Sequence, residues 1–71
     1  MKKVIAIAYT EKETGDLKLR ILSLEEIKEL HEEVFGQEKS LGNEPIDVCE
    51  SILEKMMINN DIHQDYLAEE I

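Results

Sequence analysis

The sequence predicts an α+β fold in which an N-terminal two-stranded antiparallel hairpin packs on two to three helices, in the order ββααα. Three patterns carry this prediction: a strictly alternating segment at residues 17–21 (LKLRI), a helix-start signature at Ser23, and an apolar stripe at helical spacing over residues 44–58. A chain of 71 residues has room for one small core. We therefore expect a single domain over residues 1–71.

The hairpin is predicted over residues 3–22. Residues 4–9 (VIAIAY) are rich in strand formers, and the polar segment after them contains the turn residues Thr14-Gly15-Asp16. In the alternating segment, three aliphatic side chains share one face and two basic side chains share the other. The first strand is apolar on both faces. Its second face or its edge is therefore expected to meet another surface, either a second copy of the chain or a covering helix.

The first helix is predicted from Leu24 to Phe35, with a stop at Gly36. Ser23 and Glu26 have the spacing of a capping box, in which a hydroxyl and a carboxylate each accept a backbone N–H that the helix leaves unpaired. On a helical wheel the apolar residues and His31 occupy one arc, and five glutamates occupy the opposite arc.

Two further helices are predicted in the C-terminal half. Helix 2 is expected over residues 44–58, because proline is tolerated in a first turn and Pro45 stands there. Asp61 and Gln64 have cap spacing, which predicts a short helix 3 over residues 62–70.

The charge of the chain is concentrated in its helical part. The whole sequence has a net charge of −9. Residues 1–22 contain five basic and three acidic residues and so carry +2, whereas residues 23–71 contain three basic and fourteen acidic residues and carry −11. This charge argues against direct nucleic-acid binding, including a helix-turn-helix made by the two main helices, and against anionic membrane surfaces. It favours a cationic protein partner.

The carboxylates form two rows, one on each main helix, and these are the predicted partner-binding residues: Glu25, Glu29, Glu32 and Glu33 on helix 1, and Asp47, Glu50 and Glu54 on helix 2. Like charges at i,i+4 cost about 0.2–0.5 kcal/mol, and acids in the last turn oppose the helix dipole. Stability alone does not explain this arrangement. An ordinary solvated acidic face is one interpretation. The other is mimicry of the DNA phosphate backbone.

Catalysis, metals and cofactors are not expected. Asp61, His63 and Asp65 alternate as in the start of a calcium loop, but the required glycine is replaced by Tyr66, so a helix cap is the preferred interpretation. A metal-binding or enzymatic role for His31 or His63 remains a third hypothesis. The single Cys49 lies in an apolar stripe, and the sequence has no signal-like segment. We therefore expect a cytoplasmic protein.

An alternative function is a small protein-interaction module, antitoxin-like or an adaptor. It would use the apolar second face of strand 1, through which a homodimer is also conceivable, or the pair Met56-Met57.

With MKKVIAIAY at its start and the segments SLEEIKELHEE and IDVCESILEK, the chain resembles the small acidic host-takeover proteins that lytic Bacillus phages make early in infection. Within that group it is similar to the phage inhibitor of HU, a dimeric, basic nucleoid-associated protein. The resemblance implies a DNA mimic that occludes the DNA-binding surface of HU in the host cytoplasm and disturbs the nucleoid.

Overall fold

A computed structural model describes residues 4–36 and 44–71. Its five elements are β1 (Ile5–Thr10), β2 (Leu17–Leu22), α1 (Leu24–Phe35), α2 (Pro45–Ile58) and β3 (Leu67–Glu70). The strands form one antiparallel sheet in the order β2-β1-β3. The α+β class and the N-terminal hairpin are confirmed, and the described part of the chain contains two helices.

The ends of α1 are fixed by local chemistry. The Ser23 hydroxyl accepts the backbone N–H of Glu26 at 3.3 Å, and the Glu26 carboxylate accepts the backbone N–H of Ser23 at 2.9 Å. Hydrogen bonds to its carboxylate from the backbone N–H and from the side chain of Ser23 lower the pKa of Glu26, and the charge of Arg20 adds to the effect. At the other end Gly36 adopts φ +84°, and its N–H donates to the carbonyl of Glu32 at 2.7 Å. Both predicted ends of this helix are confirmed.

The predicted helix over residues 62–70 is wrong, and so is the interpretation of Asp61 as its cap. Ile62 is buried, and the backbone N–H of His63 donates to the carbonyl of Thr10 at 3.0 Å. The chain then runs as β3 along the edge of β1 that faces away from β2. An open strand edge leaves a row of backbone groups without partners, and pairing it outweighs a weak local cap signal.

Both edges of β1 are therefore occupied within the sheet. The second edge, at which the sequence left another copy as an option, pairs with β3 in this structure. The prediction of a contact through the second face of β1 is left open. The sequence also predicts a loop with two glycines over residues 36–43; its residues 37–43 and the first hairpin residue, Lys3, lie outside the described residues.

The core lies between one face of the sheet and the helices. α2 contacts β1 and β3, and α1 contacts α2 and β2. The buried side chains come from both layers: Ile5, Ile7, Tyr9 and Leu22 from the sheet, Ile27 and Leu30 from α1, Val48, Cys49, Ile52 and Leu53 from α2, and Ile62 before β3. The molecule is thus a sheet covered on one face by a layer of two helices.

Candidate protein-binding surfaces

The seven carboxylates predicted to bind a partner are all exposed on the helices. On α1 the buried residues are Ile27 and Leu30, and the glutamates occupy the side of the helix away from them. On α2 the acidic positions are likewise opposite its four buried side chains. We call these seven residues, defined above by number, the acidic helix layer. The amphipathic pattern of each helix produces this surface, because the apolar arcs dock on the sheet and the acidic arcs are left in solvent.

Charge density is high along α1. An α-helix rises about 1.5 Å per residue, so the four carboxylates of the α1 row extend over about 12 Å, a mean step of roughly 4 Å. One DNA strand carries about one phosphate charge per 3.4 Å. The α2 row is sparser, because its three acidic positions extend over about 10.5 Å, a mean step of roughly 5 Å. In linear charge density, α1 is the closer match to a phosphate backbone.

Few cations offset these rows. The helices contain two lysines, Lys28 and Lys55, and the structure places neither in an ion pair with the seven carboxylates. Within residues 4–36 and 44–71 those seven side chains also form no hydrogen bond. Their oxygens are therefore available to donors from another molecule.

A shallow groove lies between the C-terminal halves of α1 and α2. His31 and Phe35 form one wall as a stacked pair, with ring centroids 4.6 Å apart. Glu54 and Ile58 of α2 are among the residues of the other wall. The groove combines the Glu54 carboxylate and the Lys55 ammonium group with apolar and aromatic surface. Its apolar part suits the long stem of a lysine or arginine and Glu54 suits the charged head, whereas the charge of Lys55 opposes it. The structure thus places His31 in the wall of this groove, stacked on Phe35.

A second exposed surface lies on the opposite side of the molecule. It is the outer sheet face, which we define as Ala6 and Ala8 of β1, Leu17, Leu19 and Ile21 of β2, and Leu67 of β3. The four large aliphatic side chains are 58–74% exposed. No described helix or strand covers them.

The alternating pattern correctly predicted that the three aliphatic residues of β2 share a face, but it did not predict which face the helices would cover. The covered side of β1 presents Ile5, Ile7 and Tyr9, whereas its outer side presents alanines. The side of β1 with the bulkier side chains is the one that the helices bury. Because β2 pairs with β1 in a fixed register, its aliphatic side chains lie on the same outer side as the alanines. Side-chain size along β1 was the available signal.

Other chemistry in the described residues is limited. Burial raises the pKa of the Cys49 thiol to about 11, with a smaller contribution from the charge of Glu50. A thiol held protonated in this way is a poor nucleophile. Among residues 4–36 and 44–71, no three His, Cys, Asp or Glu side chains are placed to hold a metal ion together. Neither described helix has the length and apolar character needed to cross a bilayer.

Comparison of the chain with protein-family models, with curated proteins and with solved structures gives no match.

Proposed function

We propose that this protein is a non-enzymatic inhibitor that binds the nucleic-acid-binding surface of a basic protein and excludes DNA from it. The observation that carries the proposal is the acidic helix layer: seven exposed carboxylates on one layer of the fold, without intramolecular partners among the described residues. A protein that neutralises phosphates with lysine and arginine can instead neutralise these carboxylates.

The resemblance to the phage inhibitor of HU supports a particular partner. HU is basic and binds DNA, as a target of this surface must, and the host cytoplasm is the corresponding compartment. The α1 row, with its phosphate-like density, is proposed as the main contact, and the α2 row and the groove beside it as the secondary contact.

A competition assay tests the proposal. A fluorescently labelled DNA duplex is bound to purified HU, and the unlabelled protein is added while anisotropy is measured. We expect the duplex to be displaced, and displacement to weaken as salt rises because screening reduces contacts between exposed charges. Failure to displace DNA at low salt would refute HU as the partner.

Two sets of variants distinguish a specific surface from net charge. Replacing Glu25, Glu29, Glu32 and Glu33 by glutamine removes four charges from α1. The matched control removes four exposed charges elsewhere, by Glu13→Gln, Asp16→Asn, Asp65→Asn and Glu69→Gln. We expect the α1 set to weaken HU binding by about 4-fold to about 900-fold, from four surface ion pairs of about 0.2–1 kcal/mol each. Equal effects of the two sets would contradict a defined contact surface.

Variants of the α2 row show which of the two helices contributes more to binding. Asp47→Asn, Glu50→Gln and Glu54→Gln together should weaken binding less than the α1 set, because the α2 row has three charges instead of four and a longer mean step, roughly 5 Å against roughly 4 Å. The reverse order would move the main contact to α2.

The exposed outer sheet face favours a second candidate, the protein-interaction module. Such a module would bind a partner through Ala6, Ala8 and the surrounding aliphatic side chains, and Ala6→Lys with Ala8→Lys would abolish that binding while sparing the electrostatic mode. Displacement of DNA by this double variant therefore separates the two functions.

A further inference from the structure

The outer sheet face consists almost entirely of apolar side chains in a strongly charged protein. Among the outward positions of the three strands, Glu69 alone is charged. The chain as a whole contains seventeen acidic and eight basic residues. Exposed aliphatic side chains scattered singly are normal, but a contiguous set across three neighbouring strands marks a surface that another molecule covers.

We propose that a second copy of this chain covers the outer sheet face, so that the protein is a dimer of two sheets packed face to face with the helices outside. Aligned packing of two twisted sheets about 10 Å apart is a common solution for such faces. The proposal is independent of the proposed function, because it uses the other side of the molecule.

The relief of the face is complementary to itself. The central strand presents the small side chains of Ala6 and Ala8, and these form a trough. Leu19 and its neighbours on β2 form a ridge along one side of that trough. On the other side β3 presents Leu67 opposite Ala8 and Glu69 opposite Ala6. In a two-fold arrangement the β2 ridge of each copy enters the alanine trough of the other, so the same residues serve both sides of the contact.

The distribution of charge permits a second copy in this orientation. Each molecule is strongly acidic, and contact through the helices would bring carboxylate rows together. Contact through the sheets instead separates the two helix layers by about 30 Å, taking roughly 10 Å for each step between layers. This exceeds the screening length of about 8 Å at physiological salt. Repulsion between the acidic layers therefore does not oppose this dimer.

The size of the face sets the strength of the contact. Strands of six residues extend about 20 Å and three strands about 14 Å across, which gives roughly 300 Å² in projection for each copy. Two such faces total roughly 600 Å² in projection, which is below the range of about 1,200–2,000 Å² for stable specific interfaces and in the range of weak, transient contacts. We therefore expect a reversible dimer that dissociates on dilution.

Sedimentation velocity between about 1 μM and 1 mM chain tests the proposal. Wild type is expected to shift from monomer to dimer across this range. Leu19→Lys places a charge in the contact twice, once from each copy, and should raise the dissociation constant by at least about 100-fold. Leu19 is 72% exposed. Its replacement therefore leaves the monomer folded, which circular dichroism verifies.

Ile58→Lys is the matched control. Ile58 is 67% exposed and lies at the end of α2, on the helix layer. Its replacement also exchanges an aliphatic side chain for lysine at similar exposure, but at a position away from the sheet. Its dimerisation should equal that of wild type. A wild type that remains monomeric at the highest concentration overturns the proposal, and so does a Leu19→Lys variant that still dimerises. Equal weakening by both variants also overturns it, since the contact would then not be confined to the sheet.

Pairing of strand edges between two copies is the structural rival, and hydrogen exchange distinguishes it. Edge pairing would protect the outward backbone N–H groups of β2 or β3 in the dimer, whereas face packing leaves them exposed. New protection confined to an edge strand would overturn the face-to-face arrangement.

Discussion

Removing charge from α1 is predicted to stabilise the protein. The sharpest variant is Glu29→Gln with Glu33→Gln, since both side chains are exposed and neither forms a hydrogen bond or ion pair with described residues. The change relieves the like-charge pairs of Glu29 with Glu25 and with Glu33, each about 0.2–0.5 kcal/mol. It also removes an anion from the last turn, about 0.3–1 kcal/mol. The expected gain in unfolding free energy is roughly 0.7–2 kcal/mol, while binding to the basic partner falls.

Urea unfolding at a fixed chain concentration measures this gain. The experiment is run at about 10 mM and about 1 M salt, where the screening lengths are about 30 Å and about 3 Å. The gain should be largest at low salt and shrink at high salt. Glu13→Gln with Asp65→Asn removes the same charge from exposed positions outside the helices and controls for general self-repulsion. A double variant no more stable than wild type at low salt would refute the claim that the row opposes helix stability.

Two further predictions concern the core. Because the pKa of Cys49 is raised from 9.0 to about 11 in the folded state, the stability from its neutral thiol is present below pH 9 and is lost as pH rises towards 11; between about pH 8 and about pH 10.5, wild type should lose about 2 kcal/mol more than Cys49→Ala. Parallel pH profiles in urea unfolding would contradict this. Ile62 is 1% exposed, so Ile62→Ala should cost about 2–5 kcal/mol of unfolding free energy. His63→Ala, at the exposed neighbouring position, should change stability little, and equal effects of the two variants would contradict the burial of the Ile62 side chain in the core.

The parts of the fold that could be predicted are those that short stretches of sequence determine. Ser23 and Glu26 satisfy each other three residues apart, and Gly36 supplies a backbone conformation that other residues adopt at a cost, so both ends of α1 could be predicted from local chemistry. The hairpin was predicted for the same reason, because its two strands and turn are contiguous. The exposure of the seven carboxylates follows directly from the helical period.

The parts that could not be predicted depend on distant pairing. β3 forms because β1 has a second edge with which it can pair. The paired residues, such as Ile7 of β1 and Ala68 of β3, are far apart in the sequence. Asp61 and Gln64 match a cap by spacing, yet the backbone N–H of Asp61 donates to the carbonyl of Met56 in the turn after α2. The choice of buried sheet face is likewise a tertiary competition, decided by the bulk of the β1 side chains.

The acidic helix layer and the outer sheet face lie on opposite sides of the fold, so a dimer formed through one surface leaves the other free to bind a partner. A dimer joined through its sheets presents two acidic helix layers pointing in opposite directions, so one dimer has two equivalent binding surfaces. These cannot both contact a single flat basic patch, but they can hold two basic molecules or two separate basic arms. The Leu19→Lys variant therefore has a predicted phenotype of its own: each chain still binds one basic partner through Glu25, Glu29, Glu32 and Glu33, while the avidity that comes from linked sites is lost. Binding to a densely immobilised partner should weaken more than binding to the same partner in solution. If wild type and variant each bind the immobilised partner as tightly as the soluble partner, the two acidic layers of a dimer bind independently of each other.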